Sequence, residues 1–235
     1  MKALDVVLVS VNAALYAVVG YATYLGLFAP VVGTVRFWPS VVIPAAFAVV
    51  FGPKIGGLGA AIGIFISDML IHGNAFLSLT VGVPSNFIGF YLIGVLSSPR
   101  SGERLRFMIA MALQFVYLAV VAYMQAIGLL PAAVAYVFIA VCVVSMVIIV
   151  AAFKAWKRYL GFMAAGSIGL TVGSLIIGVG LWAFSQFQPL PSGDARVPLS
   201  SIAVWFAWTY LTEAPFLYLL TPPLIEAMKK AFGGD

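Results

Sequence analysis

The sequence predicts an all-α fold, a polytopic transmembrane bundle of about eight helices in a single integral membrane domain over residues 1–235, with both termini cytoplasmic. Three observations predict it. The 235 residues are 64% hydrophobic and only 8% charged, where a soluble domain carries roughly 25% charged residues. Apolar runs recur at about the 20-residue length that crosses a bilayer. The basic residues between those runs fall on alternate sides. Twelve Lys and Arg, seven Asp and Glu and one His cannot coat a soluble protein of this size. The chain is therefore a multi-pass integral membrane protein in contact with lipid, with the cell (plasma) membrane as its expected location.

The runs follow in order. The first covers residues 4–28 behind a single lysine. It exceeds the roughly 7–15-residue core of a signal peptide, so it is read as a retained span. A short run at 39–52 leads into 54–72, and then come 75–98, 107–128, 132–153, 159–185 and 199–226. The breaks carry turn chemistry: "GPK" at 52–54, "SSPRSGER" at 97–104, "GLLPA" at 128–132 and "QFQPLPSGDARVP" at 186–198. Within the fourth run, Pro84 stands where a helix can begin, because proline suits a first helical turn.

Charge tests this count. With the N-terminus in the cytoplasm and eight alternating spans, Lys2, Lys54, Arg100, Arg104, Arg106, Lys154, Lys157, Arg158, Lys229 and Lys230 fall inside. Arg36 and Arg196 fall outside. That asymmetry is the positive-inside bias of membrane proteins. The net charge of +5 reports topology and gives no reason to expect a nucleic-acid partner. The single cysteine, Cys142, excludes an intrachain disulfide and a thiolate metal cluster.

The stretch "FGPKIGGLGAAIGIFISD" at 51–68 has the glycine content of a phosphate loop. Gly57 and Gly59 are followed by Ile62 where a dinucleotide fingerprint needs its third glycine, and no Gly-Lys-Ser/Thr is present. Helical spacing remains: Gly52, Gly56, Ala60, Gly63 and Ser67 lie three or four residues apart. Small residues so spaced let membrane helices approach backbone to backbone. Similar faces occur at Ser10, Ala13, Ala14, Ala17 and Gly20, and at Gly161, Ala165, Gly169 and Gly173. Such faces pack within the chain or against a membrane partner, and both readings are open from spacing alone.

The region "VRFWPSVVIPAAFAVVFGPKIGGLGAAIGIFISDML" at 35–70 resembles the substrate-binding S components of energy-coupling-factor (ECF) transporters. In that family a short proline-bearing helix leads through "FGP" into a Gly/Ala-rich helix ending on a polar residue. Ala13 and Ala17 match the family's Ala-x-x-x-Ala, and "TEAPFLYLLTPPLIEAMKKAF" at 212–232 resembles its last helix. The resemblance implies capture of a small water-soluble vitamin or precursor at the outer face. It further implies a transmembrane coupling subunit with two ATPase subunits as partners, and no cofactor in this chain. Ala13, Ala17, Gly56, Ala60 and Gly63 would then form the docking surface. The family has six helices, so two are surplus here, expected between residues 107 and 186.

Ionisable residues inside a membrane cost about 2.5–3.5 kcal/mol each on insertion scales, and so each requires a reason. Glu213 sits midway along the last run, two residues before Pro215. Asp68 and His72, four residues apart, share one helix face near the outer end of the third run. Arg36, Asn74 and Asn86 fall toward the same side, with Trp38, Trp208 and Tyr210 as aromatic walls. Together these nine are the candidate substrate-binding residues. Polar groups among aromatic walls suit a small-molecule pocket. Enzyme readings lack support: one histidine cannot build a multi-histidine metal site, and no Gly-x-Ser-x-Gly or His-Glu-x-x-His occurs. The alternative function is an autonomous proton-coupled secondary transporter, with Asp68 or Glu213 as relay.

Overall fold

In a computed structural model, the described residues are 2–27, 31–32, 35–97 and 102–232. Arg100, counted above with the inner charges, lies outside them. Among the described residues the chain forms eight helices. Helix α1 (Ala3–Ala22) ends in a π-helical turn, Thr23–Leu27. A small antiparallel hairpin follows, β1 (Val31–Val32) against β2 (Val35–Arg36), which the sequence reading did not anticipate. A 3₁₀ turn, Pro39–Val41, runs into α2 (Val42–Phe51).

Gly52 then takes φ +102°, a backbone open to glycine, and Pro53 starts α3 (Pro53–Ile71). Helix α4 (Ala75–Leu96) contains a π-helical stretch at Ser78–Gly82. Beyond it lie α5 (Glu103–Ala126), α6 (Ala132–Ala155), α7 (Leu160–Ser185) and α8 (Ser201–Phe232).

Six of these helices are long and apolar enough to cross a membrane. The two exceptions have different causes. Helix α2 has 10 residues, about 15 Å of rise, and is too short. Helix α8 has 32 residues and ample length, but Glu213 and prolines 215, 222 and 223 lower its hydropathy. The segment from Arg36 to the end of α2, and helix α8, still carry the chain between the two ends of the bundle. Arg36, before α2, meets Asp68 near the end of α3, while α2 stops at the start of α3. At the opposite end Arg158 and Tyr159, leading into α7, meet Glu226 of α8. There too Lys157 pairs with Glu103 at the start of α5, 3.3 Å apart. The basic residues thus gather at one end, the cytoplasmic one by the positive-inside bias.

The small-residue faces turn inward. A Cβ on Gly63 would lie 2.8 Å from the Ala13 carbonyl oxygen, and one on Gly56 would lie 2.3 Å from the Ala48 side chain. Gly59 admits Asn12, whose Nδ2 donates to the Ile55 carbonyl at 3.1 Å. Ala13 and Ala17 are 2% and 4% exposed, and Ala60 is fully buried. In this chain, Ala13, Ala17, Gly56, Ala60 and Gly63, expected from sequence to form a docking surface, are buried where α1, α2 and α3 meet one another. Close backbone approach rewards whichever helix is nearest, and here that helix belongs to the same chain. The side of α1 left outward carries Val7, Ser10, Ala14 and Val18. On α7, Gly169 faces Gly89 of α4 in the same manner.

Candidate functional site

Within the outer half, α1, α3, α4, α7, α8 and the β2 strand enclose a cavity of about 830 Å³, its mouth included. Neither α2, α5 nor α6 lines it. Gly82, Gly89, Gly169 and Gly173 of α4 and α7 are among the residues that line it, and their backbones pack against neighbouring protein atoms. Tyr16, Trp38 and Phe90 supply aromatic wall, with Tyr16 edge-on to Trp38 at 6.2 Å and to Phe90 at 6.0 Å.

Asp68 organises one side of this cavity. Its Oδ1 accepts from Arg36 Nη2 at 2.5 Å and lies 3.4 Å from His72 Nε2, while its Oδ2 accepts from Ser78 Oγ at 2.7 Å. One buried carboxylate therefore ties the hairpin strand, the end of α3 and the π-helical stretch of α4 together. Arg36 also lies over the Trp38 ring, 4.9 Å from its centroid. Its second nitrogen, Nη1, is buried without a hydrogen-bond partner among the described residues. Nearby, Asn86 Oδ1 accepts from the Tyr16 hydroxyl at 2.7 Å, and Nδ2 donates to the Gly82 carbonyl at 2.9 Å.

Helix α8 contributes Thr209 and Glu213, one turn apart on one face. Glu213 is 7% exposed and has no hydrogen-bond or ion-pair partner among the described residues. A carboxylate lining a cavity without a protein donor is an open acceptor position. Burial of an unpaired charge is costly, so such a group calls for a ligand donor or a proton.

Of the nine residues singled out from sequence, Arg36, Trp38, Asp68, His72, Asn86 and Glu213 line this cavity. Three do not. Asn74 caps the start of α4, its Oδ1 accepting from the Leu77 N–H at 2.9 Å. Trp208 packs toward Phe138 of α6, centroids 6.0 Å apart. Tyr210 stacks on Tyr117 of α5 at 3.7 Å and accepts from Gln114 Nε2 at 2.6 Å. The reason is helical: residues 208 and 210 project about 100° to either side of Thr209, which faces the cavity.

Sequence reasoning missed Tyr16, Ser85, Phe90, Ser174 and Thr209. Thr209 was recoverable, lying four residues before Glu213. Tyr16 and Phe90 carry no local mark that separates a cavity aromatic from a lipid-facing one. Among the described residues no group of three or more His, Cys, Asp and Glu could hold a metal ion.

A family model described as the S component of the ECF-type riboflavin transporter matches residues 1–159. The chain belongs to this ECF S-component family. Neither the curated proteins nor the solved structures yield a significant match. As an S component, the chain is a membrane-embedded, substrate-binding subunit of an ECF transporter in the plasma membrane. The match spans α1 to α6 and thus includes the hairpin formed by α5 and α6. That hairpin falls inside the interval where the surplus over six helices was expected. The α7 and α8 wall, with Ser174, Thr209 and Glu213, lies beyond the matched residues.

Proposed function

We propose that this S component captures riboflavin at the outer face of the membrane and delivers it through an ATP-driven ECF complex. The observation that carries this reading is the cavity carboxylate of Glu213, which has no hydrogen-bond or ion-pair partner among the described residues. Riboflavin offers a flat three-ring system, an N–H flanked by carbonyls, and a hydroxylated tail. The tail hydroxyls and the ring N–H are donors for Glu213, and Arg36 Nη1 is a free donor for a ring carbonyl. Tyr16, Trp38 and Phe90 supply aromatic contact for the ring.

Energy comes from partners, because the chain carries no nucleotide-binding motif. We infer that docking on a coupling subunit uses the outward side of α1, where Ser10 and Ala14 are the small residues left exposed. Asp68 is ill suited to a proton relay, being held by Arg36, His72 and Ser78.

The test is a riboflavin titration of the purified protein, followed by quenching of flavin fluorescence, with Glu213→Gln alongside. Saturable quenching, weakened about 10- to 100-fold in Glu213→Gln, is expected for loss of a hydrogen bond to a charged group. Absence of quenching by folded protein would overturn the riboflavin assignment. Uptake by vesicles holding this chain alone, driven by a proton gradient, would overturn the partner-driven reading.

A further inference from the structure

Helix α8 is interrupted beside the cavity carboxylate. Pro215 has no N–H, so the Leu211 carbonyl loses its intrahelical donor. Thr209 and Thr212 turn their hydroxyls back onto the carbonyls of Trp205 and Trp208, each at 2.8 Å, a contact that bends helices. Glu213 stands within this stretch and has no side-chain partner among the described residues. Its place in the cavity is therefore set by the α8 backbone, and whatever holds that backbone holds the carboxylate.

A buried polar cluster on the far side of α8 spans the break. The hydroxyls of Tyr210, before Pro215, and Tyr218, after it, lie 2.9 Å apart. Gln114 of α5 donates to both, at 2.6 and 3.1 Å. Ser167 of α7 meets the Tyr218 hydroxyl at 2.6 Å. Tyr117 stacks on Tyr210 with an interplanar angle of 10°. Gln114, Tyr117 and Tyr210 are fully buried and Tyr218 nearly so, which leaves the cluster closed to solvent.

We propose that Gln114, Tyr210 and Tyr218 form a clamp across the Pro215 break that positions Glu213 in the cavity. Through this clamp α5, which lines none of the cavity, controls how tightly ligand is held. The proposal rests on Glu213 as the acceptor for ligand. The three clamp residues are positioning residues and do not touch the ligand.

A double-mutant cycle separates positioning from general support. Tyr218→Phe keeps the ring and removes the bridging hydroxyl. Its riboflavin affinity should fall about three- to tenfold in the otherwise native chain, the effect of one or two hydrogen bonds. In the Glu213→Gln background the same change should have almost no further effect. Losses that simply add would overturn the clamp. Gln114→Met, which keeps the side-chain length, provides a second cycle if Tyr218→Phe does not fold.

A ligand-free arm uses Glu213→Cys with a charged methanethiosulfonate reagent added from the outer side. Cys142 is fully buried and serves as a silent background. Adding Tyr218→Phe should change the modification rate severalfold, and an unchanged rate would overturn the proposal. A changed rate in a protein that takes up no riboflavin would remove the vitamin assignment and leave the clamp standing.

Discussion

The helices around the cavity and the hairpin of α5 and α6 are packed by opposite means. Helices α3, α4 and α7 meet their neighbours through glycine. An added Cβ would come 2.5 Å from the Gly89 carbonyl oxygen at Gly169, and 2.6 Å from Pro53 Cα at Gly94. Helices α5 and α6 meet through large side chains, Phe107 lying 4.6 Å from Phe153 between ring centroids. Where side chains are absent, backbones come into direct contact, and four such glycines, Gly82, Gly89, Gly169 and Gly173, also line the cavity. Where side chains are large, they fill the interface, and no cavity residue comes from α5 or α6. The glycine-packed part lines the cavity, and the aromatic-packed part contacts the far side of α8 through Gln114 and Tyr117.

The largest test of this contrast is Gly169→Val. Its Cβ would meet the Gly89 backbone oxygen, which cannot swing aside as a side chain can, so a loss of about 3 kcal/mol or more is expected. Thermal unfolding in detergent would register it, and a folded protein of native stability would break the contrast. Asp68→Asn should come next. Arg36 would lose its ionic acceptor in a buried site, at a cost of about 1–3 kcal/mol in stability together with weaker riboflavin binding.

A third pair sharpens the distinction between inward and outward small residues. Ala13→Leu should destabilise the isolated subunit by about 1–3 kcal/mol through overpacking against α3. Ala14→Leu, on the outward side of α1, should change stability by no more than about 0.5 kcal/mol. It should, however, impair ATP-driven uptake in the reconstituted complex while sparing riboflavin binding. Equal stabilities for the two variants would contradict the inward placement of Ala13. The smallest effect on function belongs to the aromatic-packed hairpin. Phe153→Leu should cost under about 1.5 kcal/mol and leave the riboflavin titration unaltered.

Composition and run lengths were sufficient for the class, an all-α polytopic bundle, and for the end at which most of the polar candidates gather, while six of the eight expected spans are long and apolar enough to cross a membrane. The 35–70 region was sufficient for the family resemblance. These are one-dimensional properties: a helix of given length and hydropathy inserts in lipid largely whatever its neighbours are. Arg36, Asp68, His72, Asn86 and Glu213 stood out for the same reason, since polar groups are expensive in a bilayer wherever they sit.

Tertiary structure decided which way each face turned. Ala13 and Gly63 turned toward each other, and Tyr210 and Trp208 turned from the cavity toward α5 and α6. In water, hydrophobic periodicity separates inside from outside. In lipid the surroundings are as apolar as the core, so periodicity loses that power and only the neighbouring helices choose the face.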